Sequence, residues 1–513
     1  MMRFDDIIKR SRSNLPKAFK IAFIAAVCVG LVAHMYMFTN KLPNFDDVGG
    51  INGFGVTFKN GRWFLWVLGA VAYHLNLVFS LPWFNGLFTL TALGISAGLI
   101  AILLQLKSAA ANAILGAALV VFPSWTGTLF YMFTTPYYAV AVLMSVASVY
   151  LTVRYCRGFL GAIPLLACAI GIYQAYIPFT ATLYVILLFM MLYDDRRSCA
   201  EIVKKSFFYL FTLGASVILY FVCMKVSLVL TGQSLNTYKG IDSMGKINLL
   251  DFPRKIGSSF FGVFYNNDLE ISYNLITKGM YLVLFAGSII AIIGLFLYLL
   301  RRKDLWKGIA VLVLTAVFVL AINSIYLMCG EGIYSLMYYS YVFLMIFPLA
   351  LFDRSAGILK EGVVIAGEYV LNFALIAGIL SYCHFANGQY LSIDLSLKQA
   401  MSYCSTLVTQ IKNTEGYRED LSILLYGDEI EDRTLYHNEI MNVFSMTGRD
   451  DALVDAYSRL EFLRFYCGFD APFVGTDDMT AEIWLAIRNM PCYPTDGSIK
   501  IINDTVVVKF SEE

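Results

Sequence analysis

Charge is scarce in this chain. Of 513 residues only 15% are Asp, Glu, Lys or Arg, there are 4 histidines, and 38 basic side chains nearly cancel 37 acidic ones to leave a net charge of +1. A nucleic-acid partner therefore has no electrostatic support. Also missing are a Walker A loop, a Rossmann glycine fingerprint and a His-Glu-x-x-His helix. The 10 cysteines contain no Cys-x-x-Cys and no zinc spacing, and Cys28, Cys156, Cys168, Cys199 and Cys223 fall in apolar runs or the inner loops between them. No motif names a cofactor or a metal ligand set, although a divalent metal is left open. The energy for any reaction must come from an activated substrate or a gradient.

What is abundant is hydrocarbon. The chain is 58% hydrophobic with a mean hydropathy of +0.67, the composition of a polytopic α-helical membrane protein. A helix needs about 20 apolar residues to cross ~30 Å of lipid. Candidate runs are 18–38, 84–106, 109–123, 137–153, 159–177, 178–193, 207–230, 279–300, 307–328, 335–352 and 362–383. The first is too long for a cleavable signal and lacks an Ala-x-Ala exit. Lys9, Arg10, Arg12, Lys17 and Lys20 place the N-terminus in the cytoplasm. The basic loops at Lys107, Arg154, Arg196-Arg197, Arg301-Arg302-Lys303 and Arg354 all fall inside only if 63–80 does not span. That segment contains His74 and Asn76 between Arg62 and Pro82, and reads as an interfacial helix on the outer leaflet with Trp63, Trp66 and Trp83 at headgroup level. The expectation is about eleven spans with the C-terminus outside, and twelve as the alternative.

Two domains follow: a transmembrane module over 1–384 and an external α/β domain over 385–513. The module carries outer loops at 39–83 and 231–278, the latter with Lys239, Arg254 and Lys255. In the tail, 391–412 and 452–466 read as helices and 421–426 as a short buried strand, while 498–502 and 505–510 alternate around Asn503-Asp504 as a hairpin.

Polar groups at membrane boundaries are costly and point to function. The adjacent carboxylates Asp46 and Asp47 stand in the first outer loop, with a solvated acidic turn as the bland reading. Gln174 ends a middle span, where a helix–helix hydrogen bond is the alternative, and Glu331 precedes Tyr334 at another boundary. Tyr131, Tyr137 and Tyr138 bracket Thr134-Thr135-Pro136, either as belt residues or as a sugar platform. A transporter of lipid-linked glycans would place charges along a path through several spans, which here are nearly free of charge apart from Lys225. A non-catalytic envelope assembly protein would need no acidic loop.

Four motifs in order are Asn44-Phe45-Asp46-Asp47, Gly61-Arg62-Trp63, Gly171-Ile172-Tyr173-Gln174, and Tyr493-Pro494-x-x-Gly497-Ser498 running to Val506-Val507-Val508-Lys509. With them the chain resembles, over nearly its whole length, the bacterial serotype-converting O-antigen glucosyltransferases of the glucosyltransferase-two type, within the GT-C class. It departs from the pattern at Cys329-Gly330-Glu331-Gly332-Ile333-Tyr334, where a basic residue near a proline is expected. The resemblance implies a GT-C-like enzyme of the bacterial inner membrane. Such an enzyme moves a hexose, glucose in the first instance, from polyprenyl (undecaprenyl) phosphate to a surface glycan such as lipopolysaccharide. It also points to a small flippase and a polyprenyl-phosphate glucosyl synthase as partners. Inversion at C1 needs one base, which Asp46 or Asp47 can supply. Arg62 can fork onto the departing phosphate, with Lys239, Arg254 and Lys255 as further phosphate ligands, although an interfacial anchor explains Arg62 equally well. Tyr173, Gln174, Glu331, Tyr334, Tyr131 and His74 are the expected substrate-binding residues, and Cys467 and Lys509 mark the acceptor-binding domain.

Overall fold

The computed structural model describes residues 15–236, 251–261, 271–328, 333, 335–427, 454 and 458–512. In chain order the first helices are α1 (Lys17–Thr39), α2 (Phe45–Gly49), α3 (Trp63–His74), α4 (Pro82–Leu104), α5 (Ala109–Val121), α6 (Pro123–Leu129), α7 (Thr135–Arg154), α8 (Phe159–Ile172), α9 (Tyr176–Leu192) and α10 (Cys199–Thr231). There follow α11 (Phe252–Phe261), α12 (Leu275–Arg301), α13 (Leu305–Ile322), α14 (Ile325–Met328), α15 (Phe343–Arg354), α16 (Glu361–Asn413), β1 (Ser422–Tyr426), α17 (Arg459–Cys467), α18 (Ala481–Arg488), β2 (Ile499–Ile502) and β3 (Thr505–Lys509). The chain divides into two units: Met1–Thr39 with Phe54–Asn387, and Asn40–Gly53 with Gly388–Glu513.

The first unit is helical. Among the described residues seven helices, α1, α4, α7, α10, α12, α13 and α16, are long and apolar enough to cross a membrane, and α5 with α6 makes an eighth if their 41° bend is one broken span. The expected eleven spans are thus not reached. The surplus lies in the shorter apolar runs. At 1.5 Å per residue the 14 residues of α8 and the 17 of α9 rise only about 21 and 26 Å. Segment 335–352 begins as two 3₁₀ turns before the 12-residue α15. Prolines explain two of these breaks. Pro123 forces the preceding Phe122 into an extended conformation (ψ 136°) and ends α5. Pro178 cannot donate to the carbonyl four residues back, so a helix cannot run unbroken through Gln174. The 63–80 run forms a helix of only 12 residues, about 18 Å long, so it is not by itself a span.

Small residues set the helix contacts. A Cβ added to Gly86, Gly94 or Gly98 of α4 would collide with the rings of Phe38, Phe23 and Phe19 on α1, so α1 and α4 pack antiparallel with rings seated in glycine notches. The outer faces stay apolar: Phe207, Leu210, Ile218 and Val222 of α10 are all exposed, as lipid-facing positions are.

The second unit is a three-stranded sheet of order β1-β3-β2, with β1 parallel and β2 antiparallel to β3. Period-2 alternation divides its faces. Ile423, Val506 and Val508 turn to a core completed by Ala400, Cys404, Leu407 and Ile411 of α16, by Phe462 and Leu463 of α17, and by Val48 of α2. Leu424 and Val507 turn the other way, onto Ile483, Ile487 and Met490 at α18. Asn503 and Asp504 both take positive φ (48° and 56°), the pattern of a two-residue type I′ hairpin. The runs 362–383 and 391–412, expected as separate elements, are one 53-residue helix, because the intervening residues contain no proline and a single Gly388 costs only about 1 kcal/mol.

Candidate functional site

Two constellations carry the sequence-predicted residues, one in each unit. In the helical unit the motif Gly61-Arg62-Trp63 meets the motif Gly171–Gln174. Residues Phe58–Asn60 form a 3₁₀ turn that Gly61 closes in the left-handed region (φ 68°), after which Arg62 leads into α3. Side chains at 61 are excluded twice over, by that φ and by space: a Cβ would lie 2.7 Å from the Tyr220 hydroxyl and 3.0 Å from Gln174 Nε2. Gln174, at the break between α8 and α9, donates to the Asn60 carbonyl at 2.7 Å and to the Tyr220 hydroxyl at 3.0 Å. Gly171 lets Trp63 in, since a Cβ there would stand 2.7 Å from the indole nitrogen.

This clamp delivers the Arg62 guanidinium onto aromatic faces. Its Cζ lies 5.1 Å from the ring centre of Tyr173 and 5.8 Å from that of Tyr138. The two tyrosines stack on one another at 4.5 Å, and the aromatic wall continues through Tyr176 to Tyr339, Phe179 and Trp125. Arg62 has no carboxylate partner among the described residues, and its buried Nε has no acceptor. Trp63 Nε1 and, one turn before Tyr138, Thr134 Oγ1 are likewise buried and unmatched. A half-buried cation with π faces behind it and spare donors around it has unused hydrogen-bonding capacity for acceptor oxygens.

The acidic motif belongs to the other unit. Asn44 caps α2 by accepting the Asp47 N–H at 2.8 Å, and both carboxylates lie in the first turn, where the helix dipole favours negative charge. They are not equivalent. Asp47 is fully buried and ion-paired with Lys41, whereas Asp46 is partly exposed. The bed under α2 is α17, with Glu461 against Gly49 and Tyr466 beside Asp47; burial first, and then the Asp47 carboxylate, push the Tyr466 hydroxyl well above its ordinary range.

The remaining predicted residues scatter. Tyr131 is half-buried one turn before Thr135, whose hydroxyl and N–H both bond to its carbonyl. His74 is exposed at the end of α3 against Tyr73. Arg254 and Lys255 are exposed on α11. Lys509 turns its ammonium inward to the Met490 carbonyl (2.9 Å) and Glu512 (2.8 Å), so its charge is met within its own unit. Cys467 is partly buried at the end of α17. Lys239, Glu331 and Tyr334 lie outside the described residues. Sequence reading missed Tyr220 as the support of Gln174, and a lone tyrosine in an apolar run carries no signal. Tyr138 had one, its place in a tyrosine pair at the head of a span. Among the described residues no group of three His, Cys, Asp or Glu side chains could hold a metal.

Residues 35–348, which include Asp46, Asp47, Arg62, Tyr173 and Gln174, match the family model of the glucosyl transferase GtrII. The chain belongs to that family. The GtrII match leaves most of the sheet-bearing unit outside it, Cys467 and Lys509 included. Neither a curated protein nor a solved structure matches the chain.

Proposed function

We propose that this GtrII-family protein is a multi-pass membrane glycosyltransferase that moves glucose from a polyprenyl phosphate donor to a hydroxyl of a cell-surface glycan, with inversion. Arg62 carries the reading. It is a fixed guanidinium with no carboxylate partner among the described residues and an unmatched buried Nε, and a phosphate monoester or diester supplies the acceptor oxygens it lacks. The tyrosine faces of Tyr138 and Tyr173 suit the apolar face of a hexose as well as the cation.

The chemistry needs two charges. The bond between C1 and the phosphate oxygen breaks as the acceptor oxygen bonds to C1, and the departing polyprenyl phosphate keeps the electron pair and a full negative charge that Arg62 neutralises. The acceptor's proton passes to a carboxylate, which makes its oxygen a competent nucleophile. Asp46 is the base in this scheme. Asp47 is spent on Lys41 inside the core and serves to hold α2.

Purified protein incubated with polyprenyl phosphate glucose and a glycan acceptor should release free polyprenyl phosphate with transfer of glucose, and Arg62→Lys should lower turnover about 10²-fold, the scale of one lost transition-state donor. A wild-type protein that carries labelled lipid-linked glucose across a vesicle membrane without cleaving it would overturn the transferase reading in favour of transport.

A further inference from the structure

The core of the sheet-bearing unit contains a pair of thiols that the transfer chemistry does not use. Cys404 sits on the face of α16 that carries Ala400, Leu407 and Ile411 inward, and its side chain is fully buried. Cys467 is the last residue of α17, before the left-handed cap at Gly468, and it packs on the same core while keeping part of its surface open. The two come from different helices, yet their thiols are in hydrogen-bond contact. The Cys404 S–H and the Ser405 hydroxyl both stabilise the Cys467 sulfur, and together they outweigh burial and lower its pKa to about 7. A reachable sulfur that is partly thiolate at neutral pH, with a second, buried thiol touching it, is the arrangement of an attacking and a resolving cysteine.

We propose that Cys467 and Cys404 are a redox-active pair that a disulfide-bearing oxidant converts to an intramolecular disulfide. The Cys467 thiolate attacks one sulfur of the oxidant R–S–S–R, breaking that bond, forming a mixed disulfide and releasing one thiolate, which takes up a proton. Cys404 then gives its proton to solvent and attacks the Cys467 sulfur, expelling the second R–S⁻. Two protein thiols are oxidised, one external disulfide is reduced to two thiols, and atoms and electrons balance. The bond joins the end of α17 to α16. Because α17 is the bed of α2, with Tyr466 beside Asp47 and Glu461 against Gly49, the oxidation state governs how firmly the acidic helix is held. An influence on transfer rests on the function proposed above, and the covalent chemistry does not. If the tail lies outside the cytoplasm, as the basic loops lead one to expect, it meets a compartment in which disulfides persist.

The test uses the full chain, purified reduced in detergent and titrated with oxidised glutathione, then unfolded, alkylated and digested without reductant. The expected result is a cross-linked pair of peptides containing Cys404 and Cys467, two fewer alkylated thiols per chain, and no retained glutathione. In Cys404→Ser, which keeps a hydrogen-bond donor at that position, glutathione should instead remain on residue 467. Wild-type protein that retains glutathione on Cys467 while Cys404 is alkylated, links either cysteine to a different partner, or leaves both thiols free at an oxidant excess that oxidises dithiothreitol overturns the proposal. The wild-type peptide map alone decides, so a poorly folding variant does not rescue it.

Discussion

Asp46 and Asp47 are adjacent and chemically identical, and their surroundings separate them. Asp47 is buried with Lys41 as its partner. Replacing it with Asn removes an ion pair from a buried carboxylate site, so Asp47→Asn should cost about 1–3 kcal/mol, the scale of a lost charged hydrogen bond, visible as a lower melting temperature of the full chain. Asp46 is partly exposed, and Asp46→Asn should lower the melting temperature less than Asp47→Asn does while turnover drops by about 10²–10⁴, the worth of a positioned general base. The opposite pattern, with Asp47→Asn inactive but stable and Asp46→Asn active, would reverse the assignment. Cys467 offers a pH readout. Its pKa of about 7 lies below the ordinary thiol value, so the deprotonated, alkylatable form is already present at neutral pH and is lost as pH falls through about 7. Alkylation by iodoacetamide should therefore be half-maximal near pH 7, and in Cys404→Ala, which removes one donor, the midpoint should move up toward the ordinary ~8.5. An unshifted midpoint would mean that the Cys404 contact does not tune the sulfur.

Among elements, the joint between the head of α3 and the α8–α9 break governs where Arg62 points. Gly61→Ala asks for a left-handed Ala, at roughly 1–2 kcal/mol, and for room that Tyr220 and Gln174 occupy. Gln174→Leu leaves the Asn60 carbonyl and the Tyr220 hydroxyl unmatched in the interior. Both changes should weaken donor binding about tenfold or more while the protein stays inserted and helical, since no span is broken. Donor affinity measured with each purified variant checks this, and wild-type affinity in both would detach the joint from Arg62. The two tripeptide-scale motifs were legible in the sequence, but not that they touch, because contact order between residues 61 and 174 is a tertiary quantity. The hairpin of β2 and β3 was legible for the opposite reason: alternation and an Asn-Asp turn are local. The unbroken α16 was not, since polarity changes at residue 384 without any helix-breaking residue there.

For the molecule as a whole, the division of the chain is interleaved rather than sequential. Residues Asn40–Gly53 group with Gly388–Glu513, and Val48 has its burial partners in α16, α17 and β3. Removing 388–513 would therefore strip the acidic helix of its core as well as removing a tail. The truncated protein should insert into membranes, lose glucose transfer altogether, and become cleavable by protease within 40–53. Retained transfer by such a truncated protein would separate Asp46 from catalysis. A family match that ends at 348 gives no hint of this dependence, since the covering residues lie beyond it.

Composition and periodicity by themselves indicated a polytopic helical membrane protein with a short strand and a hairpin toward its end; that the three strands join in one mixed sheet came from the structure. Hydrocarbon transfer energies act on every stretch of about 20 residues regardless of its neighbours. The number of full-length spans was not determined that way, because hydropathy counts apolar residues and not the helix they form: run 159–177 has only 14 residues in α8, and run 335–352 only 12 in α15 after two 3₁₀ turns. Only the tertiary structure decided which polar residues keep company: Arg62 with two tyrosine faces, Asp47 with Lys41, Lys509 with Glu512, Cys467 with Cys404. Burial and pairing set the chemistry of a polar side chain, and both are properties of the packed chain rather than of its spelling.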